Sequence, residues 1–135
     1  MDNFAKSVLT CTKLFSNGVA VVNTTPHPIT FLDGTNIVTV PADPALLVNA
    51  KSVEKQVDEF LVTTVFVPTP EGTQLVENIS KVCASLKAKR CFIIGSIIAA
   101  QAYPGRVLAM TPAPGYERVP IAEKRMAINK FTVFK

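Results

Sequence analysis

Three segments of different periodicity follow one another between residues 60 and 94, and their order limits the folds open to the chain. Phe60 to Val67 has the highest β-propensity of any stretch. Thr69-Pro70-Glu71 then has the marks of a helix start: a capping hydroxyl, a proline at the first helical position and a carboxylate at the positive end. Leu75, Val76, Ile79, Val82, Cys83 and Leu86 make one apolar stripe at helical period. Lys87, Lys89 and Arg90 stand at its C-terminal end, where the helix dipole favours cations, and this is a sufficient structural reason for them. Cys91 to Ile94 is wholly apolar, as in a strand buried on both faces, and runs through Gly95-Ser96 into a short buried helix, Ile97–Ala102. Pro104-Gly105 ends that helix.

The flanking sequence reads as short strands. Gly18 opens a strand over Val19–Asn23, and Ile29–Leu32 and Asn36–Val40 flank an Asp33-Gly34 hairpin signal, with Thr35 available to lengthen the loop. Pro41 to Pro44 breaks the pattern, Leu46–Val48 fits a short strand, and residues 51–59 show no clear period. Arg106–Met110 and Met126–Phe134 read as two final strands around an irregular segment, Thr111–Arg118. The expected class is α+β (mixed α/β). Its centre is a mixed, largely antiparallel sheet of five or six strands, with one long amphipathic helix and one short buried helix. Residues 1–17 form an N-terminal arm or short helix, and residues 18–135 a single α+β domain.

The composition excludes several classes. Apolar residues make up 48% and charged residues 18%, which suits a buried core rather than disorder. No apolar run approaches membrane-helix length, and Met1 to Lys6 lacks a basic-then-apolar leader, so neither membrane nor secretion is expected. Three cysteines (Cys11, Cys83, Cys91) without a C-x-x-C pair argue against a disulfide framework and a zinc site, and fit a reducing cytoplasm. No metal or other cofactor is expected. Residues 1–80 hold four basic and eight acidic side chains, whereas residues 81–135 hold ten basic and two acidic. That asymmetry points to an anionic partner for the C-terminal part, although two halves that neutralise each other explain it equally well.

Polar residues in apolar surroundings are the candidates for chemistry. His27, the only histidine, lies between Pro26 and Pro28, which hold it on stiff, extended backbone. A strand-edge histidine guarded by prolines is the plainer reading. Ser96 stands where a strand turns into a helix and fits either a phosphate seat or a simple N-cap. Arg106, after the Pro-Gly turn, suits a phosphate clamp or a surface ion pair. Tyr103 and Tyr116 flank it, and a tyrosine face beside an arginine can hold a nucleobase. P-loop, Rossmann and nucleophile-elbow motifs are missing, and duplex nucleic acid is not an expected partner.

Val22-Asn23-Thr24-Thr25-Pro26-His27-Pro28-Ile29 resembles the Val-Asn-Leu-Thr-Pro-His-x-Ile opening of a group of small tailed-bacteriophage proteins with no settled activity. The apolar strand entering a short Ala-rich helix at Ile93–Ala102, followed by Arg106 and Thr111-Pro112, is similar to the later half of that group. Thr24 replaces its Leu, and the helical segment from Thr69 to Arg90 enlarges a shorter connection. The resemblance implies a phage origin and the host cytoplasm. It also raises Asn23, Thr25, His27, Ser96, Gln101 and Arg106 as a shared binding site, to which Tyr116 and Arg118 add contacts. The leading expectation is a homo-oligomeric protein that sequesters a small anionic nucleotide, such as a cyclic dinucleotide or an ADP-ribose derivative used as a host immune signal. The alternatives are a metal-independent phosphodiesterase with His27 as acid or base, and a protein-interaction or inhibitor module.

Overall fold

A computed structural model describes residues 2–135. The helix read from Thr69 forms as α2 (Pro70–Ala84), with the Thr69 hydroxyl accepting from the Gly72 amide at 2.9 Å. Its buried stripe is Val76, Ile79 and Cys83, and it stops before Leu86. Two shorter helices are α1 (Asn3–Thr10), capped by Asp2, and α3 (Ile97–Ala102), which has the expected bounds. A 3₁₀ turn at Pro44–Leu46 replaces the short strand expected at Leu46–Val48, because Pro44 sets φ and the Asp43 carboxylate accepts from the Ala45 amide.

Among the described residues nine strands form: β1 (Thr12–Leu14), β2 (Val19–Asn23), β3 (Ile29–Asp33), β4 (Asn36–Val40), β5 (Ala50–Gln56), β6 (Val62–Pro68), β7 (Arg90–Gly95), β8 (Val107–Pro112) and β9 (Met126–Thr132). Seven make one sheet in the order β1-β2-β7-β8-β9-β3-β4, and β5 and β6 make a separate ribbon. The α+β class stands, but seven strands replace the expected five or six. The bias toward antiparallel pairing is corrected as well. β2–β7, β7–β8 and β3–β9 are parallel, while β1–β2, β8–β9 and β3–β4 are antiparallel.

The expected strand–helix–strand unit is also corrected. β6 pairs with β5 outside the large sheet, and the parallel neighbour of β7 is β2. Cys91–Ile94 needs cover on both faces, which the interior of the large sheet supplies; the threonine-bearing β6 does not need it. β5 was hidden in the sequence because both its faces are largely exposed, so no burial alternation marks it.

The large sheet has two apolar faces. Val22, Ile93, Val107 and Ala109 pack beneath α1, α2 and α3, with Val8, Val76, Ile79 and Ala100 opposite them. On the other face Phe15, Val21, Phe31, Val40 and Ile94 meet one another. That second cluster exists because the sheet curls until its two edges approach, and the Phe15 and Phe31 rings stand 4.9 Å apart. At one end of the closing seam the Ser16 amide donates to Asp33 Oδ2 at 2.8 Å and its hydroxyl donates to Oδ1. Residues 2–17 belong to this arrangement, since β1 is an edge of the sheet and Val8 and Cys11 are core.

The cysteine expectation is overturned. Cys83, in the last turn of α2, and Cys91, on the face of β7 beneath it, form a disulfide with Cα atoms 5.8 Å apart. An odd cysteine count cannot reveal a pair that only helix-on-sheet packing brings together, and the cysteine argument for a reducing compartment falls with it. Cys11 is left as a buried thiol, its pKa raised by burial and further by nearby Asp43.

Tyr103 locks α2 to the ribbon. Its hydroxyl accepts from the Thr69 amide at 3.2 Å and donates to the Asn49 carbonyl at 2.9 Å. Gly72 leaves room for this clamp, because a Cβ there would lie 1.8 Å from Tyr103 Oη and 2.9 Å from the Asn49 carbonyl. Alanine gains about 1 kcal/mol of helix propensity over glycine, but overpacking against backbone costs about 1–3 kcal/mol. Gly72→Ala is therefore expected to lower Tm despite its better propensity. A Tm at or above the parent's in a thermal melt would refute the clamp.

Candidate functional site

The residues expected to share one site fall at different places along the strands. The two resembling segments do meet, since Asn23 is level with Ile94 in the parallel β2–β7 pair. The Thr24 amide and hydroxyl both donate to the Ile94 carbonyl, at 3.0 and 2.8 Å. What they build is a structural joint. Asn23 is fully buried, and its Nδ2 donates to the carbonyls of His27 (2.9 Å), Val40 (3.3 Å) and Pro41 (3.2 Å). Its Oδ1 accepts from the Thr25 amide and hydroxyl, at 2.9 and 2.7 Å. β2 and β4 lie near opposite edges of the sheet, so this carboxamide closes the other end of the curl. Thr25 is spent in the same network.

His27 is exposed just before β3, held through its backbone. Ser96 caps α3, its hydroxyl oxygen accepting from the Ala99 amide at 3.1 Å, and Gln101 is exposed on that helix. Tyr116 is half-buried and Arg118 exposed, both in the loop between β8 and β9. Tyr103 is buried as the clamp described above rather than offered as a base platform. Arg106 sits one residue before the Ile93–Val107 pair, toward the starts of the strands, whereas His27 lies beyond the end of β2. Four residue steps lead from Phe92 in β7 to Ser96 just past its end, about 13 Å at ~3.3 Å per residue.

At the strand-start end an open cleft of about 890 Å³ lies between the end of α2, the start of β7 and the end of β9. Its lining includes Lys89, Arg90 and Arg106 and, among the described residues, no acidic side chain. Aromatic surface lies beside the charges: the Phe92 and Phe131 ring centroids are 5.3 Å apart, and the Arg90 guanidinium lies 4.8 Å over Phe92. Arg106 Nη1 donates to Glu77 Oε1 at 2.7 Å, an ion pair whose partners are 42% and 48% exposed. Such an exposed pair is worth about 0–1 kcal/mol, so a ligand can displace it. The Cys83–Cys91 disulfide forms part of the wall.

Of the expected residues, Arg106 alone lines this cleft. Lys89 and Arg90 were set aside as helix-dipole partners, and that assignment is corrected. α2 ends at Ala84, Lys81 occupies its last turn, and Arg90 is the first residue of β7. A basic residue five or six positions past the final turn gains little from the dipole. The end of the helix was the signal that would have released them.

Among the described residues no group of three or more His, Cys, Asp or Glu could hold a metal ion, and no helix is long and apolar enough to cross a membrane. No protein-family model matches the chain, nor does any curated protein or solved structure.

Two outcomes test these assignments. Asn23→Ala strands buried donors and acceptors, each worth about 1–3 kcal/mol, so denaturant unfolding should show a loss of about 2 kcal/mol or more. The isosteric Asn23→Asp, which sets a carboxylate against three carbonyl oxygens, should be worse still; a variant as stable as the parent would remove Asn23 from its closing role. Separately, reducing Cys83–Cys91 opens a short loop worth about 2–3 kcal/mol. Dithiothreitol should lower Tm in the parent and leave a Cys83→Ser, Cys91→Ser double variant unmoved.

Proposed function

We propose that the chain binds and sequesters a small anionic nucleotide in the cleft at the strand starts. The observation that carries this is the joining of three basic side chains, without a lining carboxylate, to the Phe92–Phe131 pair in one concavity. Small-molecule sites commonly span about 300–1,000 Å³, and the cleft falls in that range. In this reading Lys89 and Arg106 neutralise phosphate, Arg90 donates beside it, and the aromatic pair offers surface to a base. The bacteriophage resemblance makes a host immune signal, such as a cyclic dinucleotide or an ADP-ribose derivative, the first ligand class to try, met in the host cytoplasm.

Cleavage of such a nucleotide has less support. His27, the only histidine, does not line the cleft and lies toward the other end of the strands from Arg106.

The test is chromatography of cyclic nucleotides and ADP-ribose derivatives after incubation with pure protein, followed by analysis of what heating releases. A ligand should vanish from solution and return intact. Lys89→Glu and Arg90→Ala should each weaken binding about tenfold or more, a change of roughly 1.4 kcal/mol. His27→Ala should bind like the parent, and added salt should weaken binding, because partly exposed charges are screened. A shortened product would replace sequestration with cleavage, and no retained nucleotide would end both readings.

A further inference from the structure

Cys83 and Cys91 both line the basic cleft, so their disulfide borders the same open space as the cations. A disulfide sealed in a core is out of reach of thiols, whereas one on a cleft wall can be attacked. The chain it closes is short and of one sign: Ala84 to Arg90 contains Lys87, Lys89 and Arg90, all exposed, and no acidic residue. Arg106 reaches the α2 wall, its Nη2 3.5 Å from Ser80 Oγ, and Ser80 stands one turn before Cys83 on the same helix. Arg90 lies over Phe92 on the other face of β7, within the same cleft. Glu77 offsets Arg106 in part, and theirs is the only ion pair among the described residues. The sulfurs are therefore approached through a positive field.

That field acts on the reagent that opens disulfides. The attacking species is a thiolate, and its rate depends on access and on how much of that anion is at the sulfur. Cations without lining carboxylates raise the local concentration of anions. We propose that Cys83–Cys91 is a thiol-exchange site, reached through the cleft and selective for small thiols that carry an additional negative charge. The incoming thiolate bonds to one of the two sulfurs. The Cys83–Cys91 bond breaks, and its electron pair stays on the other cysteine as a thiolate, which takes a proton from water. A second thiolate attacks the mixed disulfide at the reagent's sulfur. It leaves as a reagent disulfide and frees the remaining cysteine, so two cysteines are reduced and two small thiols oxidised.

The exchange changes the cleft wall. The disulfide is the covalent tie between the last turn of α2 and β7. Once it is open, the connecting segment keeps backbone bonds from the Leu86 amide to the Cys83 carbonyl (3.2 Å) and from the Lys89 amide to the Gly18 carbonyl (2.8 Å). The end of the helix is then no longer bonded covalently to the strand beneath it. The site needs only the sulfurs and the cations, so it stands whether or not the cleft holds a nucleotide.

The experiment compares two thiols of similar size and opposite charge, 2-mercaptoethanesulfonate and cysteamine, on the oxidised full chain. Their thiolate forms differ by two charges. Opening is followed by alkylation and mass spectrometry at low salt and equal thiolate concentration, and each rate is divided by that thiol's rate on a small uncharged disulfide. The sulfonate should then be favoured about tenfold, the lower end of what charged clefts achieve. Salt at about 1 M, where the screening length is about 3 Å, should bring the ratio toward one. Lys89→Glu with Arg90→Glu should abolish or invert the preference, whereas Lys51→Glu with Lys55→Glu on the β5–β6 ribbon should keep it. A ratio near one in the parent, or a preference that survives the salt, overturns the steering. So does an equal loss in the ribbon variant. A disulfide that neither thiol opens without denaturant overturns the site.

Discussion

The structure depends on closing a curled sheet whose edges are not joined by a strand-to-strand ladder. Asn23 does this at one end, reaching from β2 to the carbonyls of Val40 and Pro41 while holding the His27 carbonyl and Thr25. Ser16 and Asp33 do it at the other. Between these two polar seams lie Phe15, Val21, Phe31, Val40 and Ile94, a core that exists only when the edges meet. Buried polar groups have to be fully paired to be tolerated, and here the pairing joins strands that the hydrogen-bond ladder leaves apart.

Closure also decides where a ligand can be met. Across the strand ends the chain spends its polar side chains on itself: Asn23 and Thr25 on the joint, Thr24 on Ile94, Ser96 on the cap of α3. At the strand starts α2 stops short of β7, and the disulfide that ties its last turn to β7 lines a gap beside Lys89 and Arg90. Arg106 is delivered to the same gap by the short crossover α3, which returns the chain to begin β8 beside β7. The basic excess of residues 81–135 becomes a local field because these three residues converge there.

Much of the fold was legible where one segment carries its own cause. β2, β4 and α3 have the bounds read from residue pattern, and Thr69-Pro70-Glu71 begins α2 as its capping chemistry requires. The segments that escaped are those whose structure is made by others. β1 is a short edge strand ordered by β2, and β5 has no buried face to imprint a period. The disulfide was invisible because Cys83 and Cys91 are matched by packing, not by spacing. The site was less legible than the fold. Isolated polar residues such as Asn23, Thr25 and Ser96 stand out in an apolar sequence for structural and functional reasons alike, and a sequence does not show whether a side chain is already satisfied.

By itself the amino-acid sequence determined the α+β class, the caps and turns, the apolar stripe of α2 and the double-sided burial of β7. These follow from contacts within a few residues, where period and propensity act. The tertiary structure alone decided that β7 lies beside β2 while β6 stands outside, that the sheet curls shut on Asn23, that two of three cysteines pair, and that Lys89, Arg90 and Arg106 converge on one cleft. Each of these depends on which elements pack against one another, and packing is settled only when the whole chain closes on itself.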